Sequence, residues 1–109
     1  MILEVTVEDR TYRVEVPQYV LDEGETFFRK MDEDMDQGWQ MSREYVPNPD
    51  VEQRCQIAAD RLLTAMHNEN KHSLLLMAGY IMKRLPNVER VDIDSTGNMN
   101  ETRFHFEKI

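Results

Sequence analysis

The hydrophobic period of this chain runs from two, to about 3.6, and back to two, so strands stand at both ends and helices between them. Leu3, Val5 and Val7 alternate with Glu4, Thr6 and Glu8, and Tyr12, Val14 and Val16 alternate with Thr11, Arg13 and Glu15. β-Branched residues at period two form strands with one buried face. Asp9-Arg10 fits a tight turn between the two runs and Pro17 ends the second, which predicts an N-terminal hairpin. At the other end Val91 and Ile93 alternate with Asp92 and Asp94, and Phe104 and Phe106 alternate with Arg103, His105 and Glu107. Thr96-Gly97-Asn98 supplies a turn, giving a second hairpin.

Between the hairpins the spacing is helical. Phe27, Phe28, Met31 and Met35 predict an amphipathic helix over 25–37, capped by Gly38, whose start reaches back toward Gln18 with an interruption at Gly24. Trp39 to Val46 has no firm period. Val51, Cys55, Ala58, Ala59, Leu62 and Met66 mark a helix over 50–68. Either Asn48 followed by Pro49, or Asp50 paired with Gln53, can begin it. A helix over 74–85, capped by Ser73 and stopped by Pro86, is apolar nearly all round and belongs in the middle of a core. Isolated hairpins cannot bury their apolar faces. The expected fold is therefore a two-layer α+β domain spanning 1–109, of order ββαααββ. A mostly antiparallel four-stranded sheet packs Leu3, Val5, Val7, Tyr12, Val14, Val91, Ile93, Phe104 and Phe106 onto about three helices.

Composition narrows the function classes. The 109 residues carry a formal charge of −8, and nine acids against three bases put −6 of it in residues 17–50. Such a balance argues against binding nucleic acid or an anionic membrane surface through charge. The longest apolar run, Leu74 to Met82, is half of what a membrane-spanning helix needs. A lone cysteine, Cys55, forms no internal disulfide, and the start Met-Ile-Leu-Glu-Val is unlike a signal peptide. These features predict a soluble, cytoplasmic protein. With no Gly-rich phosphate loop and no nucleophile elbow, no cofactor is expected and an enzyme is the less favoured class.

Four constellations bear on chemistry. Phe27, Met31, Met35, Trp39, Met41 and Tyr45 gather adaptable thioethers and anchor-type aromatics inside the acid-rich third. As a surface rimmed by Asp32, Asp34, Asp36 and Glu44, they would suit a basic amphipathic protein segment or a homodimer seam; as an inward stripe they would be ordinary core. Asp32, Asp34 and Asp36 alternate like the first ligands of a calcium loop, but Gln37 and Arg43 stand where that loop needs Gly and Glu. His105 with Asp92 or Asp94 would share the outer sheet face and suggests an acid–base pair only if a pocket encloses them. Cys55 falls on a helix's apolar stripe, where a thiol is inert, and His67 and His72 lack helical metal-site spacing.

The run Met31-Asp32-Glu33-Asp34-Met35-Asp36-Gln37-Gly38-Trp39-Gln40-Met41-Ser42-Arg43-Glu44-Tyr45-Val46, with Gln53 to Leu63 and Val91-Asp92-Ile93-Asp94, resembles a small, acidic, uncharacterised protein family of proteobacteria. The resemblance covers roughly residues 31–94 and implies a bacterial cytoplasmic setting, with no catalytic residues attached. Together these readings favour a non-enzymatic regulatory or protein-interaction module. Divalent-cation binding by Asp32 to Asp36 is the alternative.

Overall fold

Both hairpins form where alternation places them. In the computed structural model, which describes residues 1–107, β1 (Ile2–Val7) and β2 (Arg10–Glu15) pair antiparallel across a two-residue turn. The turn holds Glu8 in the left-handed region at φ 57°. β5 (Val88–Ile93) pairs antiparallel with β6 (Arg103–Phe106), with a register shift between Val88 and Arg90. The sheet runs β2-β1-β5-β6.

The join between the hairpins corrects the expected sheet. β1 and β5 are parallel, so the sheet is mixed. Parallel neighbours need a long crossover, and the helical block between the hairpins supplies one. Period two fixes which face of a strand is buried, not which way its neighbour runs. Leu3, Val5, Val14, Val91 and Ile93 are buried as expected. Tyr12 is instead 39% exposed and Phe106 47%, because both lie on edge strands that the helices only partly cover.

The helical block is also more divided than expected. Gly24 separates α1 (Gln18–Glu23) from α2 (Glu25–Asp36). A Cβ there would stand 2.4 Å from the Val20 carbonyl oxygen and 2.8 Å from the Phe28 ring. After α2, the aperiodic stretch folds into a separate hairpin of β3 (Trp39–Met41) and β4 (Glu44–Val46). The chain then enters α3 (Val51–His67). Here the Asp50 carboxylate accepts from the Gln53 amide (2.8 Å) and the Gln53 side chain accepts from the Asp50 amide (2.9 Å). That reciprocal pair, not Asn48, is the cap. α4 (Lys71–Arg84) starts three residues earlier than expected because Asn70, rather than Ser73, caps it. The observed order is ββααββααββ, with a 3-10 turn over Met99–Glu101 before β6.

One hydrophobic cluster joins the inner sheet face to all four helices and to β3–β4. Its largest fully buried side chains are Tyr80 and Phe28, whose rings meet edge to face with centroids 5.9 Å apart. Gly79 makes room for that packing, since a Cβ there would sit 3.1 Å from Phe28 and 3.2 Å from Val20. Among the described residues, no helix is long and apolar enough to cross a membrane.

Candidate functional site

Helix α2 carries both the acidic run and half of the expected contact surface, so its two faces decide the site. Phe28, Met31 and Met35 recur every three or four residues and are buried. The other face presents Phe27, which is 40% exposed, and Asp34, seven residues and nearly two full turns further on. At its C-terminal end Gly38 adopts φ 98°, and Tyr45 from β4 closes over it. The Tyr45 hydroxyl donates to the Gln37 carbonyl at 3.0 Å, while the residue remains 58% exposed.

The six expected contact residues are therefore split. Met31, Met35 and Met41 belong to the core and are no surface. Cross-strand pairing sets Trp39 opposite Val46 and Gln40 opposite Tyr45. Alternation then turns Trp39 with Met41 and Val46 inward, half-buried against the core, and Tyr45 with Gln40 outward. Phe27 and Tyr45 are the two members left in the open, one near the start of α2 and the other over its end. Sequence alone does not separate them, because a three-residue strand shows too little alternation to reveal its inner side.

Asp32 is turned away from solvent cations. Tyr80 donates its hydroxyl to Asp32 Oδ1, and Arg84 reaches Oδ2 with Nε at 3.0 Å and Nη2 at 2.9 Å. Arg54 donates from Nη1 to the Asp32 carbonyl (3.2 Å) and reaches Oδ1 at 3.4 Å. Arg54 also binds Asp36 at 2.6 Å through Nη2 and the Pro49 carbonyl at 2.8 Å through Nε. Arg84 forks onto both oxygens of Glu25 (3.1 and 3.0 Å) and lies over the Tyr80 ring, 5.2 Å from its centroid. Burial alone would raise the Asp32 pKa, but the hydrogen bonds from Tyr80 and Arg84, with the arginine charge, hold it below the ordinary carboxylate range. Burial, and then the bond to Asp32, push the Tyr80 phenol well above its usual value.

The cation reading of Asp32, Asp34 and Asp36 needs carboxylates that this network already engages. Arg54 binds two of the three carboxylates, and Asp34 lies on the exposed face of α2. Among the described residues, no group of three or more His, Cys, Asp or Glu side chains has the arrangement to hold a metal ion. A cleft of about 430 Å³ lies against the network, lined by Asn48, Pro49, Asp50, Val51, Asp32, Arg54, Tyr80 and Arg84. Asp32, Arg54 and Arg84 are paired within the network, which ties α2, α3 and α4 together, and the Asp50 carboxylate is taken up by the α3 cap.

Two other constellations find their places. His105 Nε2 and Asp92 Oδ2 are 2.7 Å apart, and Arg90 Nε donates to Asp92 Oδ1 at 2.9 Å. All three side chains are at least 38% exposed on the open sheet face. Asp94 instead organises the loop before β6, accepting from the amides of Thr96 (3.0 Å) and Asn98 (2.9 Å). Cys55 is fully buried, and burial pushes its thiol up to about 12. That leaves it protonated and unreactive at neutral pH. Which acids Arg54 and Arg84 meet is decided by the packing of α3 and α4 on α2, which sets both cations against the most acidic stretch of the chain. Comparison with protein-family models, with curated proteins and with solved structures finds no match to this chain.

Proposed function

We propose that the protein is a non-enzymatic interaction module that receives a basic, partly apolar protein segment along the outer face of α2, from Phe27 past Asp34 to Tyr45. The observation that carries this reading is Tyr45: a largely exposed aromatic ring whose hydroxyl is tied to the Gln37 carbonyl. A ring fixed before contact gives up little entropy on binding, which is what makes tyrosine an effective anchor. Its neighbourhood supplies the charge. Asp34 and Glu33 are exposed on α2, Glu44 precedes Tyr45, and the Asp36 side chain is 60% exposed even while bound to Arg54. A lysine or arginine set over the Tyr45 ring gains a cation–π contact in addition to these carboxylates. Roughly 15 Å of helix rise separates Phe27 from the Tyr45 end, a span that a short helical or extended segment covers.

Trp39 reports on the hairpin that presents Tyr45, and it is the chain's sole tryptophan. Titration with an amphipathic peptide of lysine and leucine should give a saturable change in Trp39 emission that weakens as salt is added. Tyr45→Ala should weaken the interaction about tenfold and leave the far-ultraviolet circular dichroism unchanged. No saturable change, or equal binding by the variant, counts against the reading.

A further inference from the structure

We infer that strand β2 is a self-complementary edge through which two copies of this chain pair antiparallel about Val14, continuing the four-stranded sheet into one of eight strands. Met1 and Val16 exchange both hydrogen bonds, the Val16 amide to the Met1 carbonyl at 2.7 Å and the Met1 amino group to the Val16 carbonyl at 3.0 Å. In an antiparallel ladder such exchanging pairs alternate with pairs that point their groups away. The register then makes Leu3/Val14, Val5/Tyr12 and Val7/Arg10 exchanging pairs. Thr11, Arg13 and Glu15 therefore aim their amides and carbonyls away from β1, along the free edge of the sheet. Among the described residues these outward groups have no backbone partner.

Edge strands are ordinarily blunted by bulges, prolines, short length or charged side chains, and β2 has only the last of these, in both signs. The opposite edge, β6, has four residues and a register shift. β2 has six residues in unbroken register and no internal proline.

The side chains select the partner. With the two-fold axis at Val14, Arg13 of each copy forms an exchanging pair with Glu15 of the other. Both belong to the outer sheet face, both are exposed, and neither is in an ion pair among the described residues. Opposite charges on directly facing strand residues stabilise the pair, and like charges oppose it. Moving the axis one residue back sets Arg13 against Arg13; moving it one residue on sets Glu15 against Glu15. The charges thus favour the Val14 register over both of its neighbours. On the inner face the same register places Tyr12, 39% exposed in the single chain, opposite Val16 of the second copy. Since β2 shares no residue with α2 or with β3–β4, each copy keeps its own Phe27 and Tyr45, and the pairing stands or falls apart from the proposed contact with a basic segment.

Sedimentation velocity across a concentration series tests the pairing. The wild type should approach twice its 13.0 kDa chain mass as concentration rises. Arg13→Glu and Glu15→Arg should each weaken association about tenfold, because each sets two like-charge pairs across the axis. The double exchange R13E/E15R should restore it. Hydrogen exchange adds an independent readout: the Arg13 and Glu15 amides should gain protection with concentration, while the Tyr12 and Val14 amides are protected at every concentration. A wild type that stays monomeric, a dimer indifferent to Arg13→Glu, or a double variant no better than the single ones overturns the inference.

Discussion

Replacing Asp32 by alanine removes the carboxylate on which Tyr80, Arg84 and Arg54 converge. Tyr80 is fully buried, so its hydroxyl is left without an acceptor where water reaches poorly. An unsatisfied buried group of this kind costs about 1–3 kcal/mol. The two arginines lose charge-assisted bonds but keep Glu25 and Asp36, and both retain some solvent contact. Their share is therefore discounted to about 1 kcal/mol. A loss of roughly 3 kcal/mol follows, a large fraction of the 5–15 kcal/mol typical of a domain. Urea unfolding followed by Trp39 fluorescence reads it. With a slope of about 1.5 kcal/mol/M, the midpoint should fall by about 2 M while the slope is unchanged. The acid dependence has a definite sign. Asp32 is held below its ordinary pKa in the folded chain, so the unfolded chain takes up that proton first. Its contribution is complete above the unfolded value of about 3.9 and disappears as pH falls through the lower folded value. The gap between wild type and variant should be flat between about pH 5 and 7 and close only in stronger acid. A midpoint shift below about 0.3 M, or a gap that widens on acidification, would mean that Asp32 does not anchor the network.

Three further outcomes follow from the same geometry. Gly38→Ala places a Cβ 2.0 Å from the Tyr45 hydroxyl oxygen at φ 98°, so it should cost about 2 kcal/mol and displace the ring, read by urea unfolding and by the Tyr45 ring resonances. Asp50→Ala removes one half of the α3 capping box and should cost about 1 kcal/mol, measured as a drop in Tm of several degrees, about 4–8 °C. Cys55 should react with a thiol reagent only as fast as the chain opens, so its labelling rate should rise in step with the unfolded fraction as urea is added. Labelling of the native chain at the rate of a free thiol would contradict its burial.

What was legible in the sequence and what was not follow from the range of each signal. Period two located both hairpins because alternation is a local property of a half-buried strand. It gave no access to the parallel β1–β5 join, which depends on where the crossover lands. Gly24 marked a break, and its cause is local: the Val20 carbonyl four residues before it and the Phe28 ring four residues after it leave no room for a Cβ. Residues 39–46 looked aperiodic because two three-residue strands are too short to show alternation. The same shortness hid that Trp39 and Tyr45 face opposite ways. The acidic run was legible as a concentration of charge, but not as a set of partners for Arg54 and Arg84, which lie 18 and 52 residues away from the acids they bind, Asp36 and Asp32. Of the aromatic and thioether residues grouped in the sequence, Phe27 and Tyr45 are exposed and the methionines between them are core.

The most direct test of the proposed contact surface is residue-resolved. Backbone amide spectra of the labelled protein, titrated with the lysine–leucine peptide, should move the resonances of Phe27, Lys30, Asp34 and 37–45 together with one saturation curve. The β5–β6 hairpin should stay still. Shifts confined to the open sheet face around Asp92 and His105, or no saturable shifts in α2 and β3–β4, would contradict the account.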